Sequence, residues 1–135
     1  MATIKSFTSI EQSRKLAEIL PIESADMTYC AVTGGTREKM IIKNWEVNVG
    51  LDIAIKENLF SYRNGYMVPC WSLTAMLNAL PSNLQLALAI NDYQGDIKER
   101  YAIGSVNSDI YDCYADNPVD ACVDLIIKLH EQKLL

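Results

Sequence analysis

The stretch Val68-Pro69-Cys70-Trp71-Ser72-Leu73 joins an extended segment to a predicted helix. Trp71 offers bulk for a core, and Leu73 begins the apolar face of the helix. Either Ser72 is the N-cap of this helix, or Pro69 occupies its first position, and the two alternatives differ in where Cys70 points. A cysteine at a helix N-terminus is also a common place for thiol chemistry, because the unpaired N–H groups there favour the thiolate. The stretch is therefore interpreted as a structural junction between sheet and helix, with one thiol to test.

Periodicity and end signals predict three helices. They cover residues 9–20, a central segment that begins between Cys70 and Leu73 and ends before Pro81, and residues 118–132. Thr8 and Glu11 have the spacing of a capping box, with Thr8 as the N-cap. Asn117 followed by Pro118 is typical of a helix start, because proline lacks only an N–H that would be unpaired there. Both terminal segments are therefore predicted to be helical.

Between the helices, apolar and polar residues alternate with the period of a strand. Strands are predicted at 27–33, 39–44, 45–49, 84–90 and 97–106, with hairpin turns at Gly34-Gly35 and at 91–96. Residues 51–60 fit either a strand or a helix, and both alternatives stay open. The prediction is an α+β fold, a single domain over 1–135, in which an antiparallel sheet of about four to five strands packs with three helices.

Composition narrows the classes of function. The chain has 135 residues, of which 50% are hydrophobic and 21% charged, which is ordinary for a globular domain. The formal net charge of -5 argues against nucleic-acid binding, which needs a basic face. No apolar window approaches the roughly 18 to 20 residues of a membrane span, and no secretory leader is recognisable. We therefore expect a cytoplasmic protein with reduced thiols, without a membrane or nucleic-acid partner.

No metal or cofactor site is predicted from the sequence. The four cysteines include no CxxC pair, and the only histidine is His130. Five aspartates recur at a spacing of three or four residues, namely Asp109, Asp112, Asp116, Asp120 and Asp124. Their spacing crosses from a loop into a helix and lacks the pattern of a calcium-binding loop. The last two are interpreted as helix-start and solvent-facing residues.

Cys70 beside Trp71 is similar to the pattern of papain-like proteases, in which a nucleophilic cysteine opens a helix next to a tryptophan. Such a nucleophile needs a base and a residue that orients the base. The only candidate base is His130, near the end of the last predicted helix, and the glycine-rich residues expected before the cysteine are absent. Cys70 and His130 are the candidate catalytic pair of a small thiol-dependent hydrolase, and anchoring of the helix start in the core is the alternative.

Aromatic residues in or beside the predicted loops are candidates for partner binding, because tyrosine offers a large contact area with a polar tip. The candidates are Tyr62, Tyr66, Tyr111, Tyr114 and Trp71. Half-buried sheet residues with solvated hydroxyl groups are the alternative interpretation of the tyrosines.

Three segments of the chain resemble a group of small uncharacterised proteins of bacteriophages, prophages and mobile elements of gut Bacteroides-type bacteria. The segments are 12–27, 69–80 and 116–130. The resemblance implies a phage or mobile-element origin and a site of action in the cytoplasm of the infected cell, and it carries over no functional residue. The leading hypothesis is a non-enzymatic accessory protein that binds a protein partner or self-associates. The thiol-dependent hydrolase is the alternative.

Overall fold

The computed structural model describes residues 6–36, 38–50, 63, 65–81, 84–88, 101–105 and 108–135. Three α-helices lie in this part of the chain: α1 (Ile10–Ala17), α2 (Leu73–Ala79) and α3 (Pro118–Glu131). The strands are β1 (Met27–Thr36), β2 (Lys39–Val49), β3 (Met67–Cys70), β4 (Leu84–Leu88), β5 (Tyr101–Ser105) and β6 (Ser108–Ala115). A short 3-10 turn covers Ile22–Ser24. The α+β class and the helical terminal segments are confirmed, and the undecided residues 51–60 lie outside the described residues.

The described strands form two antiparallel sheets, and the single sheet of four to five strands is not confirmed. The first sheet has the order β2-β1-β3 and the second the order β4-β5-β6. Each contains a predicted hairpin, because β1 pairs with β2 and β4 pairs with β5. Periodicity identifies strands but not their long-range partners. The pairing of β3 with β1, across a long sequence separation, is such a feature of the first sheet.

The first helix has a different cap from the predicted one. The N-cap is Ser9, whose hydroxyl accepts from the Gln12 N–H at 3.2 Å, while the Gln12 side chain accepts from the Ser9 N–H at 3.0 Å. The prediction of Thr8 with Glu11 was wrong by one residue, because both pairs fit the capping-box spacing. The displaced residue, Thr8, is fully buried.

The central helix starts at the later of the two predicted positions. The Ser72 hydroxyl caps α2 by accepting from the Ala75 N–H at 3.1 Å. Pro69 instead lies in β3, opposite Thr28 of β1. Since β3 is at the edge of the described sheet, a residue without an N–H is tolerated there. Cys70 is therefore the last residue of a strand and does not open the helix.

Adjacent residues of the opening stretch enter two different hydrophobic clusters, because successive side chains of extended backbone point to opposite sides. Cys70 packs with Tyr29 and Val68 in a small cluster against the first sheet. Trp71 enters the larger cluster, which contains residues of all three helices and Ile103 of β5. Val68–Leu73 thus connects the sheet to the helical core, as the sequence indicated.

The C-terminal helix matches its prediction, and the strand before it was not predicted. Asn117 caps α3 by accepting from the Asp120 N–H at 2.9 Å, and Pro118 stands in its first turn. β6 is not among the predicted strands, because the aspartates that it contains are rare in strands. Cys113 of β6 packs against the cluster that contains Cys122 of α3.

Candidate functional site

The Cys70 thiol lies in a closed site among hydroxyl groups. Its side chain is fully buried, and the sulfur lies 3.5 Å from the Thr8 hydroxyl and 3.6 Å from the Thr8 carbonyl oxygen. Burial raises the pKa of the Cys70 thiol, while hydrogen bonds from Thr8 and Ser13 act in the opposite direction. A raised pKa lowers the thiolate fraction, the reverse of what a nucleophile needs.

Thr8 is the centre of the hydrogen bonds around this thiol. Its hydroxyl accepts from the Trp71 N–H at 3.2 Å and shares a hydrogen bond of 2.7 Å with the hydroxyl of Ser13. The Tyr29 hydroxyl donates to the Thr8 carbonyl oxygen at 2.6 Å, and burial raises the pKa of Tyr29 to about 12. These residues (Thr8, Ser13, Tyr29, Cys70 and Trp71) are called the Cys70 corner below. Among the described residues no buried side-chain nitrogen or oxygen lacks a partner, so the corner is satisfied internally.

The structure does not bring His130 to this corner. His130 is exposed near the end of α3, and its Nδ1 lies 3.2 Å from the carbonyl oxygen of Leu135. The hydrogen bonds of Cys70 instead go to Thr8. Burial, the raised pKa and the hydrogen bonds to Thr8 favour packing as the role of this thiol, and catalysis by Cys70 with His130 stays a prediction.

The aromatic candidates have different positions. Trp71 is fully buried, and its indole N–H donates to the Ser24 hydroxyl at 2.9 Å, so it presents no surface to a partner. Tyr66 is half-buried, and its carbonyl oxygen accepts from the Ala31 N–H at 2.8 Å. Tyr111 and Tyr114 belong to β6, and Tyr62 lies outside the described residues. Partner binding by the tyrosines stays a prediction.

Asp120 serves the start of α3. Asp120 accepts from the Gln12 side chain at 2.7 Å and from the Asn117 side chain at 2.8 Å, which ties α3 to α1. Burial raises the pKa of Asp124, and the charge of Asp120 adds to that shift. Within the described ranges, no group of three or more histidine, cysteine, aspartate or glutamate side chains is placed to hold a metal ion.

An open pocket between the 3-10 turn and α2 has walls of both polar residues and alanines. Glu23, Asp26, Thr74 and Asn78 line it. Asp26 is already engaged, because its carboxylate accepts from the Ser72 N–H at 2.9 Å. The carboxylate of Asp26 thus already serves the start of α2.

The most unusual surface is the outer half of the first hairpin. β3 pairs with β1 only over Met27–Cys30, so residues 32–36 and 39–44 have only each other as strand partners in the described part of the chain. We call these two segments the hairpin arm. Most of the large hydrophobic side chains exposed in the described ranges lie there, namely Val32, Met40, Ile41 and Ile42. A two-stranded hairpin is marginally stable alone in water, and an apolar one favours a covering partner.

A β-bulge gives the arm an apolar face. Val32 pairs with Asn44 and Thr33 with Ile42, so Lys43 is an extra residue without an opposite partner. Residues of β2 that pair with odd-numbered positions of β1 lie on one face of the sheet. Because of the shift, Met40 and Ile42 pair with such positions, as the inward-facing residues of the inner half of β2 do. In that inner half, Trp45 and Val47 pack against the small cluster. The apolar face of the sheet therefore continues outward onto the arm, where it is exposed.

The sequence carried a signal for this surface that its strand prediction did not use. Met40-Ile41-Ile42 is a run of three apolar residues in a strand. Since successive side chains alternate between faces, such a run places apolar groups on both sides of a two-stranded hairpin. Exposure of 43% for Met40 and 52% for Ile41 shows that both sides are open.

Comparisons with known proteins give no relative for this chain: no family model, curated protein or solved structure matches it. No helix in the described ranges is both long enough and apolar enough to pass through a membrane.

Proposed function

We propose that the protein is a non-enzymatic accessory protein whose hairpin arm is its protein-binding surface. The observation that carries this proposal is the exposure of Val32, Met40, Ile41 and Ile42 together on one two-stranded ribbon. Scattered surface hydrophobic residues are ordinary, whereas a contiguous group at the end of a sheet is typical of an interaction site.

The shape of the arm fits recognition by strand pairing or by face packing. Within the described residues, β2 is an edge strand, and an edge offers unpaired N–H and C=O groups to an added strand. Aliphatic side chains on both faces add contact area beside that edge. An extended segment of a protein partner satisfies both features at once.

Origin and location belong to the same proposal. We propose that the chain comes from a phage or mobile element and acts in the cytoplasm of its host, on the basis of the three segments that resemble phage-type proteins. Four free thiols are compatible with a reducing compartment. Genes for close relatives that lie consistently outside phages and mobile elements would contradict this origin.

Site-specific photo-crosslinking tests the binding surface. A photoreactive amino acid is placed at Ile41 or at Leu134, and the full chain is made in bacteria and irradiated. The two positions have the same exposed fraction, 52%, but only Ile41 lies in the arm. We expect a discrete crosslinked protein band from position 41 and none from position 134. Equal crosslinking from both positions, or none from position 41, would overturn the proposal.

A further inference from the structure

We propose that the partner of the hairpin arm is a second copy of this chain, held by antiparallel pairing of β2 with β2 about a two-fold axis at Ile42. This inference rests on the proposed function and specifies the occupant of the same surface. A two-fold axis perpendicular to the sheet places a strand antiparallel to its own copy. The axis also keeps each face of the sheet on its own side, so residues that pair across the axis lie on the same face.

The register follows from the pairing of β2 with β1. We count the residues of β2 that have a partner in β1, which leaves out Lys43. On one side of Ile42 these are Ile41, Met40 and Lys39, and on the other side Asn44, Trp45 and Glu46. With Ile42 on the axis, Met40 therefore meets Trp45 of the second copy on the apolar face. On the opposite face, Lys39 meets Glu46 of the second copy.

Charge complementarity selects this register. The axis creates two Lys39–Glu46 pairs, one at each end of the contact. Neither residue has an ion-pair partner within the part of the chain that the structure describes. An axis moved one position to Asn44 would place Glu46 opposite Ile41, and an axis at Ile41 would leave Glu46 outside the contact. Only the axis at Ile42 matches both the charges and the apolar residues.

Lysines and a bulge on an edge strand usually discourage pairing between sheets. Here the bulged residue is Lys43, whose side chain lies across Gly34 of its own hairpin and takes no position in the proposed ladder. Lys39 is in the ladder, where it meets a carboxylate. The two lysines therefore exclude other strands while permitting the one that carries glutamate at the matching position.

Charge reversal tests the register. Lys39→Glu places like charges opposite one another twice, and so does Glu46→Lys, so each variant alone should weaken the dimer about tenfold by sedimentation analysis at low salt. An equimolar mixture of the two variants should associate as tightly as the original chain, because both contacts become Glu–Lys pairs. The matched control is Lys133→Glu, which makes the same charge change at an exposed lysine outside the hairpin arm and should leave the association constant unchanged.

The outcomes separate this inference from the proposed function. If Lys133→Glu weakens association as much as Lys39→Glu, or if the mixture fails to recover, the register is overturned. If the original chain stays monomeric while position 41 crosslinks to a different protein, the second copy is excluded and the binding function stands. If position 41 crosslinks to nothing, both proposals fall.

Discussion

The Cys70 corner and the hairpin arm lie on the same sheet and have opposite characters. In the corner, the Cys70 thiol, the hydroxyl groups of Ser13 and Tyr29 and the backbone N–H of Trp71 are buried and hydrogen-bonded to Thr8. In the arm, four large aliphatic side chains are exposed. The region with the residue types of chemistry is therefore buried, and the region with the residue types of a core is exposed to solvent.

The difference teaches how far a residue type alone indicates function. Cys70 was a candidate nucleophile because of its neighbours in the sequence, yet its raised pKa and its burial beside Thr8 favour a neutral packing group. By residue type and sequence neighbours alone, Ile41 and Ile42 were ordinary strand residues. The burial of Cys70 and the exposure of Ile41 arise from the folded structure, and residue type indicates neither.

The largest expected effect is on stability, at the corner. Trp71→Ala should lower the free energy of unfolding by about 3–5 kcal/mol, because it removes a fully buried indole and leaves a cavity. Trp45→Ala is the matched control, since Trp45 is only partly buried and stacks under Arg14 with 5.6 Å from Cζ to the ring centroid. Urea titration of both variants measures the difference. Equal losses would contradict the central position of Trp71.

The same threonine-to-valine substitution, made once in each region, compares the two regions at the level of single hydrogen bonds. Thr8→Val should cost about 1–3 kcal/mol, because the Trp71 N–H and the Ser13 hydroxyl lose their partner in a buried site. Thr33→Val, the same change in the exposed arm, should stay within about 0.5 kcal/mol. The same unfolding assay checks both. A neutral Thr8→Val would show that the hydrogen bonds of the corner contribute little.

The corner should also make stability depend on alkaline pH. The pKa of Tyr29 is raised by burial to about 12 from an ordinary 10.0, so the folded state keeps a proton that the unfolded state loses. Stability from this group is complete below pH 10 and declines as the pH rises towards 12. Unfolding free energies measured across this range should fall less steeply in Tyr29→Phe than in the original chain. Identical slopes would contradict the shift.

Thiol alkylation provides a further comparison. Cys30 is partly exposed on β1, whereas Cys70 is fully buried. Under native conditions iodoacetamide should modify Cys30 well before Cys70, as followed by peptide mass spectrometry, because reaction requires an accessible thiolate. Rapid modification of Cys70 would instead restore it as a candidate nucleophile.

The smallest expected effect on stability is in the arm. Ile41→Ser should change the free energy of unfolding of the monomer by no more than about 0.5 kcal/mol, because the side chain is 52% exposed. The same variant should lose association with its partner, measured by sedimentation. A large loss of monomer stability would show that the arm is packed within the chain.

Local signals in the sequence predicted the elements better than their arrangement. Asn117-Pro118 located the start of α3, and the alternation around Gly34-Gly35 located the first hairpin. The sequence contains two overlapping capping boxes, Thr8 with Glu11 and Ser9 with Gln12. Tertiary contacts that bury Thr8 decide between them. Such a choice depends on residues more than sixty positions away, which a local pattern does not contain.

The site was predicted less well than the fold, for a related reason. The sequence identified Cys70 and Trp71 as notable and left their burial in the core as the alternative to chemistry, and it contained the apolar run at 40–42 without showing where β3 ends. The bulge at Lys43, which turns Ile42 to the same face as Trp45, is a property of pairing between strands. Exposure and register both arise from the assembled sheet.

Hydrogen–deuterium exchange at two protein concentrations tests the central contrast most directly. The Trp71 N–H, bonded to buried Thr8, should exchange slowly at both concentrations. Amides of residues 39–44 should exchange rapidly in dilute solution and become protected at high concentration, where a second copy pairs with β2. Protection of the arm that is already complete in dilute solution, or rapid exchange that does not change with concentration, would contradict the account.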